Sequence, residues 1–232
     1  MAVPKTESIA LEGAPCPVRW QRLARARQVS LRIDPRAGAV VVTLPPRVRR
    51  AKGLALLASH AGWVRQRLAA LGPAQALEPG TVLPLGGVAR VIRLDPAGPA
   101  GVRLGPGAIL VGGAVPVAVQ VAGFLRAEAA RQIAPRVVAH AARLGVVPRA
   151  VRLKDLRSRW GSCAADGTLV FAWRLVLAPD WVLDYAVAHE VTHLREMNHG
   201  PRFWALLAGL SPLRAPAVAW LKQHGPGLLR VG

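Results

Sequence analysis

Negative charge is scarce in this chain. Its 232 residues carry 12 Asp+Glu against 31 Lys+Arg, a formal net charge of +19. A surface of that kind attracts anions, and less so as salt rises. Two origins fit it. One is an anionic partner, nucleic acid or a nucleotide. The other is composition, since most of the cations are Arg, and Arg, Ala, Gly and Pro, all abundant here, share GC-rich codons. Cysteine is scarce too. Cys16 and Cys163 stand far apart, which excludes a disulfide framework and suits a reducing compartment. Residues 1–20 hold no apolar signal-peptide core. One uncharged stretch, residues 104–125, is long enough to suggest a membrane helix. Gly105, Pro106, Gly107, Gly112, Gly113 and Pro116 interrupt it, so it reads as strand, turn and helix start. No P-loop-type Gly-rich phosphate motif is present, and neither an internal repeat nor a heptad pattern is visible. The expectation is a cytoplasmic protein with no membrane partner, and with 52% apolar residues it can bury a real core.

What is present reads as strands first and helices later, an α+β chain. Residues 1–15 are expected to be disordered. "VSLRID" alternates, with Val29, Leu31 and Ile33 on one side, and "AVVVTLP" is its return strand. Six arginines between Arg19 and Arg36 decorate this segment, either as a polar strand face or as a nucleic-acid stripe. One helix is expected at about residues 48–71, from Leu54, Leu57, Ala61, Val64 and Leu68 at three- and four-residue steps. Short strands follow, giving a β-rich region over 16–113. A long helix should span about 116–144, with Leu125, Ala129, Ile133, Val137, Ala141 and Leu144 as its apolar stripe. Pro135 should kink or split it, and Gly145 should stop it. His140 on this helix reads as structural, and His60 and His224 as structural or exposed. A hairpin then turns at Asp166-Gly167. Pro179-Asp180 opens a further helix, and two short helices near 201–209 and 213–223 end the chain.

Three of the six histidines fall in "AVAHEVTHLREMNHGPRFW". His189 and His193 are four residues apart, so on a helix they share a face. Glu190 is rotated about 100° from His189, which aims its carboxylate beside an ion rather than at it. This is the His-Glu-x-x-His pattern of zinc hydrolases. A catalytic zinc usually takes three protein ligands, and His199 is the candidate third. Six residues on, it lies off the helix face, so the helix must end and fold back. Asn198, Gly200 and Pro201 permit that, the first two by tolerating left-handed geometry. The spacing also fits the metzincin pattern, but Glu196 occupies the metzincin glycine position and no methionine turn follows.

"HEVTHLREMNHGPRFW", "LKDLRSRWGSC", "WRLVLAPDWVLDYAVAHE" and "RQVSLRID" together resemble the YgjP-like metallopeptidases, relatives of the SprT-like zinc proteases. The resemblance runs from about Val18 to Trp220. It implies a zincin-type half over 114–232, with an active-site helix beside a small β-sheet. It implies one zinc per chain held by His189, His193 and His199, with Glu190 as general base. Tyr185, one turn before His189, either packs or stabilises an oxyanion. Glu196 either orients a histidine or solvates the helix end. Arg157, Ser158, Arg159 and Trp160 are candidates to line a groove for an extended peptide, with Trp160 equally readable as core. Cys163 could in principle bind metal, although three histidines suffice. The leading function is hydrolysis of peptide bonds in a protein or peptide substrate. The alternatives are a metal-dependent phosphohydrolase acting on a nucleotide, and a nucleic-acid-associated module or protease tethered by the basic surface.

Overall fold

The computed structural model describes residues 6–156 and 158–232. The chain divides into two compact units, Met1–Ala74 and Gln75–Gly232.

In the first unit, β1 (Thr6–Leu11) and β2 (Ala14–Arg22) pair as an antiparallel hairpin. Residues 6–15 are therefore ordered strand, not the disordered segment expected, because Leu11 and Cys16 are buried in the core of the unit. The expectation for residues 1–5 lies outside the described residues. β3 (Ser30–Asp34) and β4 (Ala39–Leu44) complete a sheet of order β1-β2-β4-β3, with β2 and β4 parallel. β4 reads AVVVTL and is buried along its whole length, as a central strand covered on both faces should be. Two helices, α1 (Arg50–Ser59) and α2 (Ala61–Ala69), stand where one was expected. At the break, Ser59 Oγ donates to the Leu56 carbonyl at 3.0 Å, and His60 Nδ1 lies 3.0 Å from the same oxygen. Side chains competing for a helix carbonyl interrupt the ladder, and the apolar period carries no sign of that.

In the second unit, β5 (Val82–Leu85), β6 (Val88–Leu94), β7 (Gly101–Gly105) and β8 (Ala108–Gly112) form a sheet of order β5-β6-β8-β7. β6 and β8 are parallel and the outer pairs antiparallel. This is the strand order and sense of the first sheet, repeated without a visible repeat in the sequence. These strands were grouped with the N-terminal region. The structure instead sets the boundary at Ala74/Gln75, not at 113/114. The reason is burial: Leu83, Ile92, Ile109 and Val111 share one core with α3 (Val117–Leu144).

The apolar stripe of α3 is buried as its period requires, through Leu125, Ala129, Ile133, Val137 and Ala141. Pro135 does not split it, and the helix runs 28 residues as one element. Pro135 is on the exposed side, where the carbonyl it leaves unbonded can turn to water. Gly145 ends the helix in left-handed geometry (φ 63°), with Val146 N–H donating to Ala141 O at 3.0 Å and Gly145 N–H to Ala142 O at 3.1 Å. That is a Schellman stop, and a side chain at Gly145 would strain it.

A third sheet has the order β10-β11-β9, from β9 (Ala150–Lys154), β10 (Gly161–Cys163) and β11 (Thr168–Ala172). The hairpin around Asp166-Gly167 is as expected but short: β10 has three residues, and β9 pairs with β11 in parallel. Trp173–Leu177 leaves the sheet as a 3-10 turn. Arg174 fixes that turn. It is 1% exposed, its Nε donates to Val231 O at 2.8 Å, and its guanidinium pairs with Asp155 and lies 4.2 Å from the Trp173 ring centroid. The chain then enters α4 (Asp180–Thr192), α5 (Pro201–Leu210) and α6 (Arg214–Leu228). α4 packs against α3, where His140 Nε2 and Asp184 Oδ1 are 2.9 Å apart and Arg136 pairs with Asp180. The architecture is α+β. No described helix is long and apolar enough to cross a membrane.

Arg174→Ala removes the buried guanidinium that bonds Asp155 and the Val231 and Gly232 carbonyls. Losing hydrogen bonds from a buried charged donor costs about 1–3 kcal/mol, so the urea midpoint of the second unit should fall accordingly. A shift below about 0.5 kcal/mol, the size of an ordinary surface substitution, would remove Arg174 from the framework.

Candidate metal centre

α4 is buried on nearly every side. Val182, Leu183, Val187 and Val191 enter the main core. Tyr185 and Ala188 pack on a second cluster with Phe203, Leu207 and Ala217. Its C-terminal end reaches an open cleft, and that end carries the motif. His193 caps α4 with φ −63° and ψ −21°, so the helical spacing continues through it. His189 and His193 therefore face the same way, with ring centroids 5.1 Å apart.

The fold-back to His199 is present, but not by left-handed residues. Among the described non-glycine residues only Glu12 has positive φ, and Gly200 is extended at φ −80°, ψ −179°. Successive tight turns reverse the chain instead. Leu194 N–H donates to Val191 O, and Arg195 and Glu196 N–H both donate to Thr192 O, each at 3.0 Å. Pro201 then starts α5, where its missing N–H costs nothing.

The result is one ligand atom from each of His189, His193 and His199 within 4.8 Å of the others. His189 Nε2 and His199 Nε2 are 3.1 Å apart. Two nitrogens at zinc–imidazole distance on a tetrahedral ion stand about 3.3 Å apart, so the donor set fits such an ion. His193 Nδ1 lies 3.2 Å from Glu196 O. A neutral ring donating there keeps its Nε2 lone pair for the centre. Glu196 thus orients a histidine through its backbone, while its carboxylate lies 3.8 Å from Arg202 Nε. Phe203, fully buried, supports all three rings at centroid distances of 4.6 to 5.0 Å. Trp204 stacks on His199 at 5.4 Å, and Arg214 covers the same indole at 3.4 Å.

Burial shifts the two adjacent titrating residues in opposite directions. His189 falls to about 4, first through burial and then through the nearby His193, His199 and Arg214. Glu190 rises to about 7 through burial, and Arg159 opposes that rise. Each environment disfavours the charged form. His193 is also lowered by burial, partly offset by its bond to Glu196.

Glu190 has room only because position 161 is glycine. A Cβ on Gly161 would lie 2.5 Å from Glu190 Cγ and 2.7 Å from its Oε1. A cleft of about 330 Å³ runs between β10 and the histidines, lined by Gly161, Ser162, Cys163, Glu190 and Met197 among others. A second pocket of about 270 Å³ also borders Glu190, and Arg159, Trp160 and Tyr185 are in its lining. Arg159 and Trp160 thus reach the site, as does Tyr185, which is also packed. Arg157 lies outside the described residues. Cys163 lines the cleft but stands outside the three-histidine group, and burial raises its thiol pKa, with Glu190 and Asp166 adding to the rise. Gly161, and Val218 and Leu221 of α6, were not foreseen as site residues. Only the glycine in "WGSC" hinted at a close approach.

A family model described as "YgjP-like, metallopeptidase domain" matches residues 27–224. The chain belongs to this YgjP-like family. Neither the curated proteins nor the solved structures contain a match to it. Family and geometry agree: a metallopeptidase domain carries a three-histidine group able to hold a metal.

His199→Ala should weaken zinc binding by more than the roughly 10–100-fold that loss of an outer partner costs, read by competition with a chelator of known affinity. Unchanged affinity would take His199 out of the centre. The shifts also set a pH dependence for the metal-free protein. Between about pH 4 and 6.5 the unfolded state binds a proton at His189 that the folded state does not, so this group lowers stability as pH falls. Between about 4.5 and 7 the folded state holds a proton at Glu190 that the unfolded state lacks, so this group lowers stability as pH rises. The two largely cancel where they overlap. Metal-free Glu190→Gln should therefore lose stability more steeply than wild type as pH falls from 6.5 to 4.5. Parallel pH profiles in urea denaturation would contradict that.

Proposed function

We propose that this protein is a zinc-dependent peptidase of the cytoplasm, with His189, His193 and His199 as metal ligands and Glu190 as general base. A zinc ion held there would supply Lewis acidity, polarising a carbonyl and acidifying a nearby water. The chain's own residues do the rest. Glu190 takes a proton from the attacking water at its carboxylate and returns it to the leaving amine. The three imidazoles are held by Phe203 and the Glu196 carbonyl before any substrate arrives. Tyr185 lies one helical turn from His189, with ring centroids 6.1 Å apart, and is the candidate to steady the developing oxyanion.

One observation favours a peptide over other substrates. β10 is an edge strand. Ala172 N–H donates to Trp160 O at 2.8 Å and Ala164 N–H to Thr168 O at 2.9 Å. By the alternation of antiparallel ladders, the backbone groups of Gly161 and Cys163 point away from β11. They lie along the cleft that also holds Glu190 and the histidines, where an extended peptide can add as a strand. A nucleotide has less to bind. Among the described residues that line these two cavities Arg159 is the one cation, little charge for a triphosphate. The first unit, Met1–Ala74, has 13 of the 31 Lys+Arg but only three of the 12 Asp+Glu, and is the better candidate for nucleic-acid contact by a tethered protease.

Zinc-loaded protein should cut an unfolded protein such as casein. Glu190→Gln should lower the rate at least about 10²-fold, the scale of a lost general base, while keeping its zinc. Gly161→Ala should do the same by displacing the Glu190 carboxylate. Mass spectrometry of the products reads both. Full activity in Glu190→Gln, or phosphate release from nucleoside triphosphates with no peptide products, would replace this reading.

A further inference from the structure

The second pocket beside Glu190 is lined by Tyr185, His189 and Glu190 of the chemistry above and also by residues that chemistry does not use. It shares Gly161, His189 and Glu190 with the cleft, so whatever fills it lies directly beside the bond being cut. Its remaining walls are mainly apolar. Trp160 forms one wall and is held at a fixed distance, because a Cβ on Gly225 of α6 would lie 2.9 Å from its Cζ2. Ala186, a small residue of α4, lines the pocket and takes up little of it. Val218 and Leu221, three residues apart on α6, make the opposite wall. Three-residue spacing places them on one helix face. Val218 is 48% exposed, so the core does not account for a large aliphatic side chain at this place. Arg159 lines the pocket as well, and its charge is set against a cationic occupant.

We infer that this pocket selects the substrate, taking a large apolar side chain (Phe, Leu or Met) of the peptide residue flanking the scissile bond. The inference rests on the peptidase reading. About 270 Å³ suits one side chain and not a folded segment. Val218 and Leu221 then act as specificity residues: they touch substrate but neither the metal nor the transferred proton. One buried apolar group discriminates by about 10–200-fold in kcat/KM, and peptides with Phe or Leu at the flanking position should exceed those with Ala, Asp or Lys by that factor.

The test is cleavage-site profiling of the zinc-loaded full chain on a mixed peptide library, with matched Phe, Leu, Ala and Lys peptides for kinetics. Val218→Glu puts a charge on the exposed rim, where it should not disturb folding. It should cut kcat/KM for the Phe and Leu peptides about tenfold or more relative to the Ala peptide, with zinc content unchanged. Leu221→Ala, which widens the same wall, should shift preference towards larger side chains and guards against a fault peculiar to one variant. Cleavage without apolar preference, or a preference that neither variant moves, overturns the inference while leaving the peptidase intact. No cleavage of any peptide, with zinc bound, removes the peptidase reading and this inference with it.

Discussion

Everything at this site depends on how α4 is buried. A helix carrying two histidines and a glutamate is a costly thing to place in an apolar core, since each charged form resists leaving water. The fold resolves this by length. Most of α4 is packed into the core, and His140 and Arg136 of α3 fix its start through Asp184 and Asp180. Only the last turn emerges into the cleft. The shifts of His189 and Glu190 are the residue of that compromise: both are buried enough to prefer their uncharged forms, yet open enough to meet a ligand. Phe203 touches all three rings, so the third histidine, carried on a reversing loop, shares one support with the two on the helix.

The sequence made the centre of this site legible and left its surroundings obscure. His189, Glu190 and His193 could be placed because their spacing is a property of one helix. His199 could be placed because its distance required a reversal, although tight turns made it and left-handed backbone did not. The long stripe of α3 was readable for the same reason, namely local periodicity. What depended on contacts between distant segments was not readable. The strand at 6–11 owes its order to pairing with β2. The break at Ser59-His60 comes from side-chain hydrogen bonds that leave the apolar period intact. The boundary at Ala74 is set by which core β5–β8 join. Gly161 could not be recognised as the neighbour of Glu190 until strand and helix were brought together across 29 positions of chain.

The two four-stranded sheets make the same point from another side. They share strand order and the senses of all three pairings, and each is followed by helix. Yet β4 is AVVVTL and β8 is AILVG, alike in being buried and in little else. Packing asks of a central strand only that it be apolar on both faces. Many sequences satisfy that, which is why a topology can recur where residue identity does not.

The shortness of β10 has a consequence of its own. An exposed strand edge invites any extended chain, including a second copy of the same protein, and long flat edges are sites where assemblies grow without limit. Three residues offer a few backbone bonds, enough to seat a short segment and too few to propagate a sheet. The same ledge that can receive a passing segment is therefore too narrow for the protein to stack upon itself.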